Sequence, residues 1–244
     1  MVKKSRRNKM NKGEMLYEGK AKRVFQTEDP DFFVIQYKDD ATAFNGQKKG
    51  TIAGKGIVNN IISNILFEYL EKSGIPTHFV DQISEGETLV KAVSILPLEV
   101  IIRNVSAGSF SKRYGVPEGI PFDQPTLEFS YKNDDLGDPL INDDHILALE
   151  LATEEQLEQI KTYAHEINRL LILFFKECGL KIIDFKLEFG LNKGNIILAD
   201  EISPDTCRLW DIETNEKMDK DRFRRDLGNV EETYQAVLRR VTKR

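Results

Sequence analysis

Cysteine is scarce in this chain of 244 residues: Cys178 and Cys207 are the only two, far apart and without the spacing of metal ligands. That excludes a disulfide-stapled scaffold and a thiolate zinc site, and the expected setting is the reducing cytoplasm with both thiols free. Long apolar runs are also missing. The longest, Leu170 to Phe175, falls far short of the roughly 20 residues a membrane-spanning helix needs, and no apolar secretory leader is expected. No membrane role follows. His78, His145 and His165 share no ligand spacing, no serine or cysteine sits in a nucleophile motif, and Trp210 reads as packing. Internal repeats and low-complexity segments are absent.

What is present suits a folded body. Hydrophobic residues make up 40% and charged residues 31%, enough to bury a core as one elaborate domain or two lobes. The net charge of -5 is uneven: Lys3, Lys4, Arg6, Arg7, Lys9 and Lys12 all precede the first acidic residue, Glu14. Residues 1–14 are expected to be a disordered basic extension. Such an arm can grip nucleic acid or anionic membrane. The acidic body that follows argues against nucleic acid as a ligand.

Order is expected from Met15. Leu16-Tyr17, Arg23-Val24-Phe25 and Phe32 to Tyr37 read as an antiparallel start, and the polar, glycine-rich stretch from Lys38 to Gly56 reads as a functional loop. Helical spacing of Ile57, Val58, Ile61, Ile62, Ile65, Leu66, Tyr69 and Leu70 predicts a helix to Lys72, stopped by Gly74. His78 to Gln82, Thr88 to Ile95 and Glu99 to Val105 are strand candidates. With the preceding elements they suggest a first lobe of sheet plus helix, and the lobes are expected to divide as residues 15–95 and 96–244.

Beyond Arg103, punctuation by Gly108, Gly115, Pro117, Gly119, Pro121, Pro125, Gly137 and Pro139 predicts turns and ligand loops rather than core. A long helix is then predicted from about Glu154 to Cys178, opened by a capping box from Thr153 to Gln156 and closed by Gly179. From Leu180 to Glu201 two strand-like runs flank Asn192-Lys193-Gly194. In the first, Ile183, Phe185, Leu187 and Phe189 alternate with Asp184, Lys186 and Glu188, which puts the charges on one face. A three-residue loop with Gly194 left-handed would pair Lys186 with Asp200 and bring Asp200 to that face; a two-residue loop would send it to the other.

Carboxylates gathered around a lysine suit Mg²⁺ carrying nucleotide phosphates, although a solvated edge hairpin would show the same alternation. Gly19-Lys20-Ala21-Lys22 sets two ammonium groups beside a turn, suited to polyphosphate but matching neither the P-loop nor Gly-x-Gly-x-x-Gly. Arg103, ending an apolar run before Ala107-Gly108-Ser109, is a candidate phosphate clamp or an ordinary surface ion pair. Arg208, Arg222, Arg224 and Arg225 are weaker candidates of the same kind.

The runs from Leu96 to Arg103 with Ala107-Gly108-Ser109, and from Ile182 to Gly190, resemble the two signature stretches of SAICAR synthetase. The likeness extends from Tyr17-Glu18-Gly19-Lys20-Ala21-Lys22 to Lys217-Met218-Asp219-Lys220-Asp221-Arg222-Phe223-Arg224 and leaves out only the basic extension. It implies an α+β, two-lobed, kinase-like fold with antiparallel sheets and an ATP cleft between the lobes. It also implies ATP-dependent condensation of L-aspartate with the carboxylate of carboxyaminoimidazole ribotide, giving SAICAR, ADP and phosphate in purine biosynthesis.

By the same resemblance Lys20, Ala21 and Lys22 would cover the phosphates, Lys91 would lie near the adenine, and Glu188 and Asp200 would bind ATP through Mg²⁺. Arg103 and Ser109 would take the ribotide phosphate. Lys132, Asp184, Lys186, Arg208 and Arg224 would line the substrate side, with Lys22, Asp184 and Lys186 catalytic and Asp184 the candidate base. The expected partners are small molecules, with no nucleic acid and no membrane, and the expected assembly is a homo-oligomer such as a dimer. Two rivals remain at this stage: a phosphotransferase on the same scaffold, which lacks its His-Arg-Asp and Asp-Phe-Gly motifs, and a non-catalytic nucleotide sensor or RNA binder using the basic arm.

Overall fold

Two antiparallel sheets face each other across a cleft in the computed structural model, which describes residues 12–43 and 46–244. The first sheet has the order β1-β2-β3-β7-β6, built from β1 (Met15–Glu18), β2 (Lys22–Gln26), β3 (Phe32–Tyr37), β6 (Phe79–Ser84) and β7 (Glu87–Lys91). Residues 1–11, most of the basic arm, lie outside the described residues. Lys12 to Glu14 are bonded to the first sheet, with Lys12 Nζ on Glu87 at 2.7 Å and the Gly13 amide on Gln26 at 2.9 Å. The expected functional loop after Lys38 contains a short hairpin, β4 (Asp40–Ala43) with β5 (Lys48–Thr51).

Helix α1 (Lys55–Lys72) follows, two residues longer at its start than its apolar spacing predicts. Its first amides are satisfied from outside: Asp39 accepts from Gly54 and Gly56 at 3.0 and 2.8 Å, placing a carboxylate at a helix N-terminus where the partial charge is positive. Its apolar residues Val58, Ile62, Leu66 and Leu70 are buried. Asn60 and Asn64 bond Thr88 on β7, and Ser63 accepts from the Ile202 amide at 2.9 Å. One helix therefore holds both the first sheet and the chain leaving the second.

The second sheet has the order β10-β9-β8-β11-β12 with β13 also on β11: β8 (Ser94–Val105), β9 (Pro121–Tyr131), β10 (Leu140–Ile141), β11 (Leu180–Asn192), β12 (Asn195–Ala199) and β13 (Cys207–Asp211). Short helices α2 (Gly108–Tyr114) and α3 (Asp143–Ala148) interrupt it, and α4 (Glu154–Glu177) covers its apolar face. The Thr153 and Gln156 capping box forms as expected. α5 (Asp221–Arg224) and α6 (Val230–Thr242) end the chain, with Tyr234 and Val237 of α6 in the same core as α1 and α4. No helix among the described residues is long and apolar enough to cross a membrane.

Three expectations are corrected. Thr88 to Ile95 is not one strand, because the chain leaves β7 after Lys91 and enters β8 of the other sheet at Ser94. The region read as loops contains the long strand β9. Its prolines are tolerated because β10 pairs only with Phe129 and Ser130, so Pro121 and Pro125 lie on an open edge where no amide is required. Finally, Ile183 does not share the face of Phe185, Leu187 and Phe189. A bulge between Ile182 and Asp184 shifts the alternation by one, and Ile183 packs with Val105, Ala107 and Trp210 on the other side.

Candidate active site

The cleft has a volume of about 670 Å³ and its walls come from both sheets. The site residues implied by the resemblance all line it: Lys20, Ala21, Lys22 and Lys91 from the first sheet, Arg103, Ser109, Lys132, Asp184, Lys186, Glu188, Asp200, Arg208 and Arg224 from the second half. Arg222 and Arg225, weaker candidates in the sequence, do not line it: Arg222 pairs with Glu216 at 2.7 Å and Arg225 with Glu118 at 3.0 Å. The polar row of β11 makes the floor. Asp184, Lys186 and Glu188 stand opposite Arg103, Ile101 and Glu99 of β8 in register, while Phe185 and Leu187 point into the core.

The floor is a chain of charge pairs. Lys186 donates to Glu188 at 2.6 Å and Glu99 at 3.0 Å, and Lys132 bonds the other Glu188 oxygen. Burial opposes the charge of Lys186, but Glu188, Asp200 and Glu99 outweigh it and hold the ammonium above its ordinary range. Asp184 is gripped by Arg103 at 2.9 Å and by Arg208 at 2.8 Å. Arg103 also donates to Glu128 and, at 3.2 Å, to Ser109 Oγ. It is buried, so the surface-ion-pair reading of Arg103 is excluded.

Arg208 continues to Asp221 at 3.1 Å, and Asp221 takes Arg224 at 2.8 Å. Gly108 is required where Arg208 passes: it has φ of +54°, and a Cβ there would lie 2.2 Å from an Arg208 nitrogen. Its amide donates to Glu118 at 2.9 Å, and Glu118 is held down to about 2, burial being outweighed by Arg225, the Gly108 amide and Lys217.

Lys22 forms the roof. It pairs with Asp200 and, at 3.0 Å, with Glu201, and lies over the Tyr37 ring. Burial opposes its charge, yet Asp200 and Glu201 leave its pKa well above the ordinary value. Burial likewise pushes Asp200 toward neutrality, and Lys22, Lys186 and Lys132 reverse this, so the carboxylate is held far below its usual range. Lys20 reaches Asp134 at 2.7 Å, and Lys91 donates to the Thr77 carbonyl at 2.6 Å.

The route by which Asp200 arrives differs from the expected one. Lys193 and Gly194 alone form the loop, with φ of +51° and +84°, and Asn192 pairs with Asn195. This two-residue turn shifts the register by one from the three-residue loop, so a straight continuation would carry Asp200 to the core face. The strand instead stops at Ala199, and Asp200 adopts φ of +60°. That left-handed residue turns its side chain back toward Lys22 and Lys186.

Glu188 and Asp200 offer hard oxygen ligands, and both act on Lys186. Among the described residues no group of three or more acidic, histidine or cysteine side chains could hold a metal. Two carboxylates suit Mg²⁺, which takes one or two from protein and completes its shell with phosphate oxygens and water.

Residues not anticipated are Glu99, Glu128, Glu201, Asp205, His78 and Lys220, all in or beside the cleft. His78 lines it fully buried, its Nε2 without a partner, and burial with Lys22 nearby lowers it to about 3. Asp205 sits at the end near α5, accepting from Lys55 at 2.9 Å, Lys220 at 3.1 Å and Tyr234 at 2.7 Å. Nothing local in the sequence marks these pairs.

Residues 15–241 match the family model described as SAICAR synthetase. The chain belongs to the SAICAR synthetase family. It is 60% identical over 232 residues to the phosphoribosylaminoimidazole-succinocarboxamide synthase of Lachnoclostridium phytofermentans, covering 95% of this chain and 99% of that one. The crystal structure of the Ehrlichia chaffeensis synthase superposes with a TM-score of 0.92 at 48% identity, over 94% of this chain and 98% of that one. A SAICAR synthetase solved in complex with ADP gives 0.91 at 44% identity, over 95% and 98%. The fold is therefore the two-lobed α+β fold of this family, and the chain is an ATP-dependent ligase that joins L-aspartate to the carboxylate of carboxyaminoimidazole ribotide, giving SAICAR in purine biosynthesis. Both rival readings, a phosphotransferase and a non-catalytic sensor, fall away.

Proposed function

We propose that ligation proceeds in this cleft through an acyl phosphate. The observation that carries the reading is the convergence of Lys22, from one sheet, with Asp200, Lys186 and Glu188, from the other. A carboxylate resists amine attack because oxide is a poor leaving group. Transfer of the γ-phosphoryl group to a ribotide carboxylate oxygen releases ADP and leaves an acyl phosphate, and the aspartate amine then displaces phosphate at the carbonyl carbon.

Lys20, Ala21 and Lys22 cover the phosphates in this scheme, and Lys91 faces the adenine end. Phosphoryl transfer depends on positioning and charge stabilisation, so Lys22 and Lys186 are held charged where negative charge moves. Glu188 and Asp200 would hold Mg²⁺, which when bound would neutralise phosphate charge during transfer. Ser109 and Arg103 receive the ribotide phosphate, with Arg103 oriented by Glu128 and Asp184. Lys132, Arg208 and Arg224 face the two carboxylic acids. Asp184, engaged by two guanidinium groups, is a positioning group in this scheme. The enzyme is further proposed to act in the cytoplasm as a homo-oligomer, a dimer in its simplest form, which its mass in solution tests.

Ribotide labelled with ¹⁸O in its carboxylate supplies the decisive test of the intermediate. Label appearing in released phosphate supports it; SAICAR formed with the lost label in water and none in phosphate rejects it.

A further inference from the structure

The aspartate amine enters as an ammonium ion and must lose a proton before it can attack, and no group described so far takes it. The candidate lies where α5 meets the cleft. Lys55 from α1 and Lys220, one residue ahead of α5, both point their ammonium groups at the same oxygen of Asp205, at 2.9 and 3.1 Å. The other oxygen is taken by the Tyr234 hydroxyl of α6. One carboxylate balances one ammonium, so this cluster holds a surplus positive charge out of water. Arg224, a third cation, adds to it, and the adjacent Asp221 is committed to Arg208 and Arg224.

The two lysines are not equivalent. Lys55 is sealed in the core at 1% side-chain exposure, whereas Lys220 has 11% and lines the cleft beside Arg224 and Arg208. Only Lys220 can reach a ligand. Burial disfavours its charge, Asp205 opposes this, and Lys55 and Arg224 reinforce burial, leaving its pKa below the ordinary lysine value. A lysine so placed sheds a proton readily and is a good match for an amine substrate.

We propose that Lys220 is the general base that activates the aspartate amine, an inference that rests on the acyl phosphate route above. The neutral Nζ lone pair takes one proton from the aspartate ammonium. The freed nitrogen lone pair forms the bond to the acyl carbon, the bond from that carbon to the phosphate oxygen breaks, and phosphate leaves with its electron pair and takes up the second proton that the nitrogen sheds as the amide forms. Asp205 holds the new ammonium of Lys220 until the proton passes to solvent. Loss of Lys220 leaves Asp205 paired with Lys55, so the fold survives.

The test uses Lys220→Met and Lys220→Arg in the full-length enzyme, with hydroxylamine as a second nucleophile. Hydroxylamine is a neutral amine at neutral pH and reacts with an acyl phosphate without a base. Lys220→Met should lose kcat with aspartate by about 100-fold or more, with little change in the aspartate KM. Its residual rate should climb with pH as free aspartate amine increases. Hydroxylamine-dependent ADP release and hydroxamate formation should stay within about tenfold of wild type, since a lost base costs only the base-dependent step. Lys220→Arg keeps the charge but supplies no base at accessible pH, so it should share the kcat loss. Three outcomes overturn the proposal: equal loss with hydroxylamine and aspartate, a loss confined to the aspartate KM, or recovery in Lys220→Arg. Failure of wild type to form hydroxamate removes the acyl phosphate reading itself, and the base with it.

Discussion

Lys22 on β2 and Asp200 beyond β12, 178 residues apart in sequence, are joined by an ion pair that crosses the cleft from one sheet to the other. The pair ties the turn proposed to cover ATP phosphates to the carboxylate proposed to hold their metal. Asp200 can make it only through its left-handed backbone, a conformation most residues avoid but Asp and Asn accept.

That acceptance makes Asp200→Asn a clean probe. The backbone is kept and the charge removed. ADP formation should fall by roughly 10²-fold or more, and the midpoint for Mg²⁺ activation should rise, while circular dichroism stays native. Near-normal turnover would remove Asp200 from the metal site.

Gly108→Ala should separate substrate binding from folding. The added Cβ would meet the Arg208 guanidinium at 2.2 Å in a conformation with positive φ. Arg208 must shift away from Asp184, and the ribotide KM should rise about tenfold, equivalent to about 1.4 kcal/mol. Steady-state kinetics with varied ribotide checks this.

Gly190→Ala should act on stability. Its Cβ would lie 2.4 Å from Val93 and 2.6 Å from the Ser94 carbonyl, where the crossing chain enters β8. A backbone oxygen cannot step aside as a flexible side chain can, so a loss of about 1–3 kcal/mol is expected, read by urea denaturation.

Phe174→Ala tests the core beneath the site. The ring is 1% exposed and packs edge-on against Phe175 and tilted against Tyr69. Truncation should cost about 3–5 kcal/mol, measurable as a lowered Tm, with ADP release per folded molecule preserved.

His78 gives a pH signature with a definite sign. Folding lowers its pKa to about 3 from an unfolded value near 6.5. Below that unfolded value the denatured chain gains a proton that the native chain refuses, so stability falls as pH drops toward 3 and is unaffected above about 7. Relative to His78→Gln, wild type should lose about 1.4 kcal/mol per pH unit in that window. Parallel stability profiles for the two proteins would contradict a buried neutral imidazole.

Much of this architecture was legible in the chain. The helix from Glu154, its capping box and the face shared by Asp184, Lys186 and Glu188 follow from short-range periodicity, which local sequence encodes. The turn at Lys193-Gly194 is not legible in the sequence because Gly194 is left-handed in both loop types; what distinguishes them is Lys193 also taking positive φ, which lysine does not advertise. At Asp200 the shifted register and the left-handed end of the strand offset each other, so the side chain still reaches the face the sequence predicts. Asp205 with Lys55 and Lys220 was invisible for another reason: these groups lie 150 and 15 residues apart and meet only once α1 and α6 have packed.

The central claim is tested most directly by ADP release from purified enzyme supplied with carboxyaminoimidazole ribotide and ATP, with and without L-aspartate and Mg²⁺. The account predicts sustained ADP release only when all four are present, with one ADP and one phosphate formed for each SAICAR. Sustained turnover that ignores aspartate or the metal, or SAICAR made without ADP, would contradict it.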